Sequence, residues 1–513
     1  MTRLIGIDPR TGLPVSDGVP ETTPAELAKV TAVASAALLS ITDGYAPPPV
    51  RATLLRALAD ALDAEVDDLV ALATAETGLP VTRLTGEIAR TSFQLRLFAT
   101  VIEDGAYLEA VIDTADPAAV PIPRPDLRRL LVPVGVVAVF AASNFPFAFS
   151  VLGGDTASAL AVGSPVVVKA HPAHPATSAR TGALASTVIE KLGLPAGVFG
   201  LVHGSEAGRL LVLDPTVKAV GFTGSTAGGR ALFDLASARP EPIPFYGELG
   251  SVNPSVVTPA AVAARGPEIA AGFVASFTLG QGQFCTKPGL LFLPAGHGLG
   301  DTLAAAIETT AAGPMLDARI KRGFTDGTDR LAAHPGVSEI AFGEALLEPV
   351  EGSWATPRLY TTDAETFSAD ADAAVLGSEC FGPSSLIVEY TDAADLARAL
   401  QTVEGSLTGT IHAEGEQDPF PVADLITTLA TRVGRVVYNA WPTGVAVTSA
   451  MQHGGPWPAS TNSLHTSVGT TAVRRWLRPV SYQGIPDHLL PPALQDRNPL
   501  SLPRRYDGTA ATR

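Results

Sequence analysis

The chain holds only 2 cysteines among 513 residues. Two thiols cannot build a disulfide framework, so stability must come from a buried core, which a chain of this length can form. Positive charge is scarce: 35 Lys and Arg against 51 Asp and Glu give a formal charge of −16. That balance repels nucleic-acid backbones and anionic membrane surfaces, so neither is an expected partner. There is no HExxH and no paired CxxC, and no metal site is expected. Long apolar runs are missing too. The strongest, Leu130–Ser143, contains Pro133 and is too short to span a bilayer; it reads as one buried strand. The opening Met1–Gly18 lacks an apolar segment followed by a cleavage site, so a cytoplasmic location is expected. What is present is 46% hydrophobic and 17% charged residues, which excludes a disordered chain.

The first segment reads as helical. Thr23–Ser40 opens with Thr23 as cap, Pro24 at the first helical position and Glu26 three after the cap. Arg51–Gly78 and Gly86–Gly105 carry apolar residues at helical spacing. The pattern then changes to short β-branched runs: Val134–Ala142, Ser164–Pro172, Val198–Gly204 and Val217–Ser225, with helical stretches between them. This alternation predicts a parallel sheet covered on both faces, a doubly wound α/β nucleotide-binding architecture. Beyond Gly250 a second α/β domain is expected, with strands at Leu290–Gly296, Ser384–Tyr390, Gly409–Gly415 and Gly434–Pro442. The proline-rich tail is expected to dock on another surface rather than fold alone. No repeat of 20–50 residues is present.

Several positions invite chemistry. Cys285 in "GQFCTKPG" is a candidate nucleophile, or a small buried hydrophobe. Glu248 in "FYGELGS" follows an apolar segment; buried there, its pKa would rise toward neutrality and suit a general base, whereas a surface turn would leave it ordinary. Asn144 directly follows a buried strand, where its amide could serve an oxyanion or a turn before Pro146. The loop Gly221–Leu232 turns from strand into helix, where backbone N–H groups can receive a phosphate, yet it is neither a GxGxxG fingerprint nor a Walker A loop. Lys169 ends a parallel strand and points at the crevice where such sheets bind ligands, or into solvent. None of the nine histidines has a local setting that marks it as a base.

The order of the motifs is more specific than any one of them. "SNFPFAF", "VVVKAHPAHP", "FTGST", "GELGSVNP", "GQFCTKPGL", "ECFGP" and "NAWPTGV" resemble, in sequence, those of the aldehyde dehydrogenase superfamily. The resemblance runs over nearly the whole chain. The stretch "HGGPWPASTNSLHTSVGTTAVRRWLRPVSYQ" is similar to the branch of 2-oxoglutarate semialdehyde (2,5-dioxopentanoate) dehydrogenases and NADP-dependent fatty-aldehyde dehydrogenases. The resemblance implies a Rossmann-type cofactor domain over 1–112 and 134–250, and a catalytic domain over 251–474. A small β extension from 113–133 and 475–505 would serve subunit association in a homodimer or homotetramer.

It also implies roles. Cys285 attacks the aldehyde, Asn144 and the Cys285 amide hold the oxyanion, and Glu248 activates water against a thioester. Lys169 contacts the adenosine ribose, Gly224 and Ser225 face the pyrophosphate, Glu379 binds the nicotinamide ribose and Phe381 packs beside it. Cys380 is a bystander. Lys287 stands where this branch commonly has asparagine, and is expected to face solvent. NAD-preferring relatives place a glutamate where Pro172 stands, so NADP is the favoured cofactor and NAD the alternative, with His171 and His174 as further donors. A 2,5-dioxopentanoate substrate would need cations, for which Arg90 and Arg96 are candidates. A medium- or long-chain or aromatic aldehyde would need an apolar tunnel, from Phe93, Phe147, Phe149 and Trp441. Thr448 and Ser449 would line the pocket in either case. The competing readings are a CoA-acylating dehydrogenase, which lacks the carboxylate at Glu248, a non-catalytic homologue and a cysteine hydrolase.

Overall fold

A computed structural model describes residues 2–344, 351–369, 375–415 and 418–511. The first helix, Pro24–Ala36, starts on the expected capping box: the Glu26 N–H donates to the Thr23 hydroxyl, and the Glu26 carboxylate accepts from the Thr23 N–H. The helix expected over Arg51–Gly78 is two, Pro48–Ala64 and Val66–Thr77. The backbone leaves helical geometry at Glu65 (φ −110°, ψ 19°), which turns Leu69, Val70 and Ala73 onto the core already lined by Leu54, Leu58 and Leu62. The long helix Val81–Asp104 packs along Pro48–Ala64 and buries Leu84, Ile88, Leu95, Phe98 and Ile102.

The first parallel sheet runs Phe199–Val202, Val166–Lys169, Val136–Phe140, Val217–Thr223, Phe245–Glu248 in spatial order. Its central strand is first in the chain. The next two strands add on one side and the last two on the other, so the strand order reverses beside Val136–Phe140. Ligands bind outside the carboxyl ends of strands at such a switch point. Asn144, Lys169, Gly224 and Glu248 all sit at those ends.

The second sheet has seven strands: Ser338–Phe342, Arg358–Asp363, Ser384–Tyr390, Leu290–Pro294, Pro254–Val257, Ser406–His412 and Val433–Tyr438. All neighbours are parallel except the first pair. Cys285 and Glu379 lie just before Leu290–Pro294 and Ser384–Tyr390. This sheet therefore presents the amino ends of two strands where the first presents carboxyl ends.

The apolar run expected as one strand over Leu130–Ser143 is divided between two sheets. Leu127–Pro133 belongs to a third sheet and Val136–Phe140 to the first. Pro133 ends the first strand, and Gly135 takes φ +122°, a conformation that L side chains rarely adopt, to turn between them. The tail docks by strand pairing. Leu477–Gln483 pairs antiparallel with Leu127–Pro133 along its whole length. Val111–Asp113, Arg504–Tyr506 and Thr509–Ala511 complete this sheet. Among the described residues no helix is long and apolar enough to cross a membrane.

Candidate active site

Cys285 follows a tight loop. Gly280, Gln281 and Gly282 all take positive φ, at 56°, 57° and 62°. A Cβ on Gly282 would lie 2.1 Å from the Gly382 carbonyl oxygen. Only glycine lets the Cys285 loop touch the Glu379–Gly382 segment so closely. Asn253 locks the loop from beneath. Its Nδ2 donates to the carbonyls of Cys285 (2.8 Å) and Lys287 (2.9 Å), while its Oδ1 accepts from Thr408 and Ser251.

Glu248 ends the last strand of the first sheet and is 4% exposed. Between it and Cys285 stands His453, 1% exposed. Nε2 of His453 lies 3.0 Å from Oε1 of Glu248 and 3.5 Å from Sγ of Cys285. The other Glu248 oxygen accepts from the Ser467 hydroxyl at 2.6 Å. The backbone N–H of His453 donates to Thr466 Oγ1 at 2.8 Å. Burial alone would raise the Glu248 pKa, but the charge and hydrogen bond of His453, with the Ser467 hydroxyl, hold it below its ordinary value. The expected rise toward neutrality does not occur. Burial, and then the negative charge of Glu248, push the Cys285 thiol well above its usual range. At rest the pair is therefore a thiol and a carboxylate with the His453 ring between them.

Asn144 is 8% exposed, and its Nδ2 donates to the Gln283 carbonyl at 3.0 Å, two residues before the nucleophile candidate. Its backbone oxygen accepts from Arg83 at 2.6 Å.

The two arginines taken from the sequence separate. Arg96 forms exposed ion pairs with Asp60 (2.5 Å) and Asp63 (2.7 Å) on the neighbouring helix. Six residues along a helix is about 240° of rotation, so Arg90 faces elsewhere. Its guanidinium lies over the Phe149 ring at 5.3 Å, and that ring is 6.2 Å from His453. Burial lowers its pKa against the opposing charges of Glu87, Cys285 and Glu248. The same-face neighbour of Arg90 is Arg83, seven residues back. Arg83 is stacked between Phe145 (5.0 Å) and Phe284 (4.7 Å), the residue before Cys285. Between the two arginines, Glu87 accepts the N–H groups of Phe147 (2.8 Å) and Ala148 (3.0 Å). Nη1 of Arg90, and Nε and Nη1 of Arg83, are buried N–H groups with no acceptor. Thr448 and Ser449 are exposed in the loop before His453, and among the described residues no hydrogen bond joins their side chains to this cluster. Of the tunnel aromatics, Phe149 reaches the site. Phe147 is buried in the core, Phe93 is 52% exposed and Trp441 packs on Phe273 and His412.

At the cofactor end, Lys169 is held down to about 8 by burial and then by the charge of Arg319. Among the described residues no carboxylate pairs with it. Nη2 of Arg319 lies 3.4 Å from His171 Nε2. His174 is not available as a donor to a ligand: its ring nitrogens contact Ser178 Oγ (3.1 Å) and the Ala142 carbonyl (3.0 Å). Ser225 caps the helix Thr226–Ser237, accepting the Gly228 N–H. The Gly224 N–H is already given to the Glu248 carbonyl at 3.0 Å, so this loop is tied to the base candidate. Glu379 is pushed up to about 7 by burial, against the charge of Lys287 and a hydrogen bond from Ser251. Phe381 is half-buried two residues on.

Lys287 does not face solvent. It is 3% exposed, and its Nζ donates to the carbonyls of Cys380 (2.7 Å) and Ser384 (2.8 Å). Its two hydrogen bonds hold the Glu379–Phe381 segment against the Cys285 loop.

His453, Ser467, Arg83 and Asn253 were not found from the sequence. His453 is remote from Cys285 in the chain, and its only local mark is the glycine pair that follows it. The sequence profile of the aldehyde dehydrogenase family matches residues 3–478. The chain is 50% identical over 475 residues to alpha-ketoglutaric semialdehyde dehydrogenase 2 of Azospirillum brasilense, covering 91% of this chain and 89% of that one. It is 44% identical over 461 residues to alpha-ketoglutaric semialdehyde dehydrogenase of Acinetobacter baylyi, covering 89% and 86%. The crystal structure of PnpE in complex with nicotinamide adenine dinucleotide has the same fold, with a TM-score of 0.77 at 21% identity over 94% of both chains.

Proposed function

The chain belongs to the aldehyde dehydrogenase family, and we propose that it oxidises 2,5-dioxopentanoate (2-oxoglutarate semialdehyde) to 2-oxoglutarate, with Cys285 as nucleophile and NADP as the preferred cofactor. The observation that carries the substrate is the pair Arg83 and Arg90. Two guanidiniums on one helix face stack on Phe284 and Phe149, with the charge of Glu87 acting on both, and each keeps buried N–H groups without acceptors. A carboxylate is the group that satisfies such donors, and arginine binds it in two parallel hydrogen bonds. The names of the two similar enzymes support the same substrate.

Chemistry begins with the thiol. Raised in pKa, Cys285 needs a proton acceptor, and the His453–Glu248 pair is the one in reach: Nε2 takes the thiol proton as the proton it shares with Glu248 moves onto the carboxylate. The resulting N–H faces the new thiolate, and Glu248 passes its proton to solvent before the hydrolytic step. The thiolate adds to the aldehyde carbon. Asn144, whose amide already points at the Cys285 loop, and the Cys285 backbone N–H would hold the oxyanion. Bound in the switch-point crevice, the nicotinamide supplies the two-electron acceptor. Glu248, ionised and held by Ser467, then takes a proton from water attacking the thioester. This carboxylate favours hydrolysis over transfer to CoA.

The residues at the crevice fit a phosphorylated dinucleotide. Lys169 has no competing carboxylate, Pro172 brings no negative charge, and Arg319 adds a second cation nearby. Glu379 would take the nicotinamide ribose, with Phe381 beside it, and the Ser225 turn would face the pyrophosphate. We also infer self-association through the third sheet, since Val120, Ile122 and Leu489 are 91%, 72% and 66% exposed around it. The test is turnover of 2,5-dioxopentanoate, a medium-chain aldehyde and benzaldehyde with NADP and with NAD. A higher kcat/KM for the keto acid with NADP supports the reading, and preference for the uncharged aldehydes overturns it.

A further inference from the structure

We propose that Cys285, His453 and Glu248 form a three-ligand site for a thiophilic divalent cation, zinc foremost, and that the enzyme with this site filled is inactive. One sulfur, one imidazole nitrogen and one carboxylate oxygen from these residues all lie within 4.8 Å of one another. Around a tetrahedral zinc, at about 2.3 Å from sulfur and 2.0–2.2 Å from nitrogen and oxygen, such atoms sit about 3.3–3.6 Å apart. Sγ to Nε2 is 3.5 Å and Nε2 to Oε1 is 3.0 Å. The same nitrogen faces both partners, so with the ring proton on Nδ1 its lone pair is directed into the space a metal would fill.

The site also has the outer hydrogen bonds that fix metal ligands. The Ser467 hydroxyl donates to the second Glu248 oxygen at 2.6 Å, and the backbone of His453 is pinned to Thr466. Cys285 is partly exposed, which leaves an entry path and an open fourth position for water. The donor set selects the ion. A thiolate and an imidazole suit zinc or cadmium rather than magnesium or calcium. Arg90, which lies near enough to oppose a bound cation, further disfavours ions held by charge alone. On binding, the Cys285 S–H bond breaks, its proton goes to buffer, and the sulfur lone pair is donated to the metal. Nothing is oxidised or reduced.

Binding does not depend on the aldehyde reading; inhibition rests on Cys285 being the nucleophile. The test is a titration of the reduced, metal-free full chain with Co2+, followed by its thiolate-to-cobalt charge-transfer band and the visible bands of a tetrahedral ion. One equivalent with both features is expected, displaced by Zn2+. Cys285→Ser removes the charge-transfer band, Cys380→Ser retains it, and His453→Asn weakens binding by more than the ~10–100-fold that losing an outer-shell partner costs. Because a variant can misfold, Zn2+ protection of wild-type Cys285 from iodoacetamide, read by peptide mass, is measured in parallel and is expected. Absence of the thiolate band in wild type, its persistence in Cys285→Ser, or no protection overturns the site. Full aldehyde turnover with the site filled overturns the inhibition and the nucleophile assignment while leaving the binding intact.

Discussion

His453 presents one nitrogen to Cys285 at 3.5 Å, and that same nitrogen stands 3.0 Å from Glu248. A half-buried thiol beside a carboxylate is a poor nucleophile, because each negative charge disfavours the other. An imidazole between them removes the conflict by carrying the proton. His453→Asn is expected to lower kcat/KM by ~10²–10³, within the range for removing a positioned base. The specific readout is alkylation of Cys285 by iodoacetamide against pH. The variant should react more slowly at neutral pH and recover as pH rises. An unchanged alkylation profile would mean that His453 does not take the thiol proton.

Arg83 and Arg90 should act on the substrate's charge rather than on chemistry. Arg90→Met is expected to reduce kcat/KM for 2,5-dioxopentanoate by ~10–100-fold, the worth of a hydrogen bond to a charged group, chiefly through KM. The same variant should leave or improve turnover of an uncharged medium-chain aldehyde. Arg96→Ala is the control. It removes exposed ion pairs with Asp60 and Asp63, for which about 0–1 kcal/mol of stability and no change in KM are expected.

Lys169 is expected to give a pH signature to cofactor binding. Its pKa is lowered to about 8, so the cation that would meet a phosphate is present below that value and lost above it. The dissociation constant for NADP, measured by calorimetry, should therefore rise as pH climbs through about 8. NAD, lacking the extra phosphate, should show a shallower dependence, and Lys169→Arg should flatten the NADP curve. Equal curves for both cofactors would place Lys169 away from the phosphate.

Lys287 is expected to be a scaffold cation. Lys287→Met leaves the Cys380 and Ser384 carbonyls without their donor, a cost of about 2 kcal/mol. Denaturant midpoint should fall and cofactor KM rise, because the Glu379–Phe381 segment loses its anchor. Cys285 alkylation should be unaffected, since the ammonium is committed to the two carbonyls. A large change in alkylation with normal stability would give Lys287 a direct part in activating the thiol.

Four of the five strands of the first sheet and four of the seven of the second were legible as short β-branched runs, whereas Phe245–Glu248, Pro254–Val257, Ser338–Phe342 and Arg358–Asp363 were not. The run Leu130–Ser143 misled because two strands of different sheets follow one another with only Val134 and Gly135 between them. Positions fixed by short motifs, such as Cys285, Glu248 and Asn144, could be proposed one by one. Residues that act by contact across the fold could not. His453 and Glu248 are 205 residues apart. Arg96 was attractive because it is close to Arg90 in sequence, whereas the helix puts Arg83 on the shared face. Lys287 read as a surface residue because burial of a lysine depends on carbonyls from another strand, which no local pattern shows.

The most direct test of the account is the covalent state of Cys285 in Glu248→Gln after mixing with NADP and 2,5-dioxopentanoate. With attack intact and hydrolysis removed, one equivalent of NADPH should form in a burst, and the Cys285 peptide should carry the acyl group by mass. Cys285→Ala should show neither. Steady turnover in Glu248→Gln with no mass added to Cys285 would contradict both the nucleophile and the hydrolytic base.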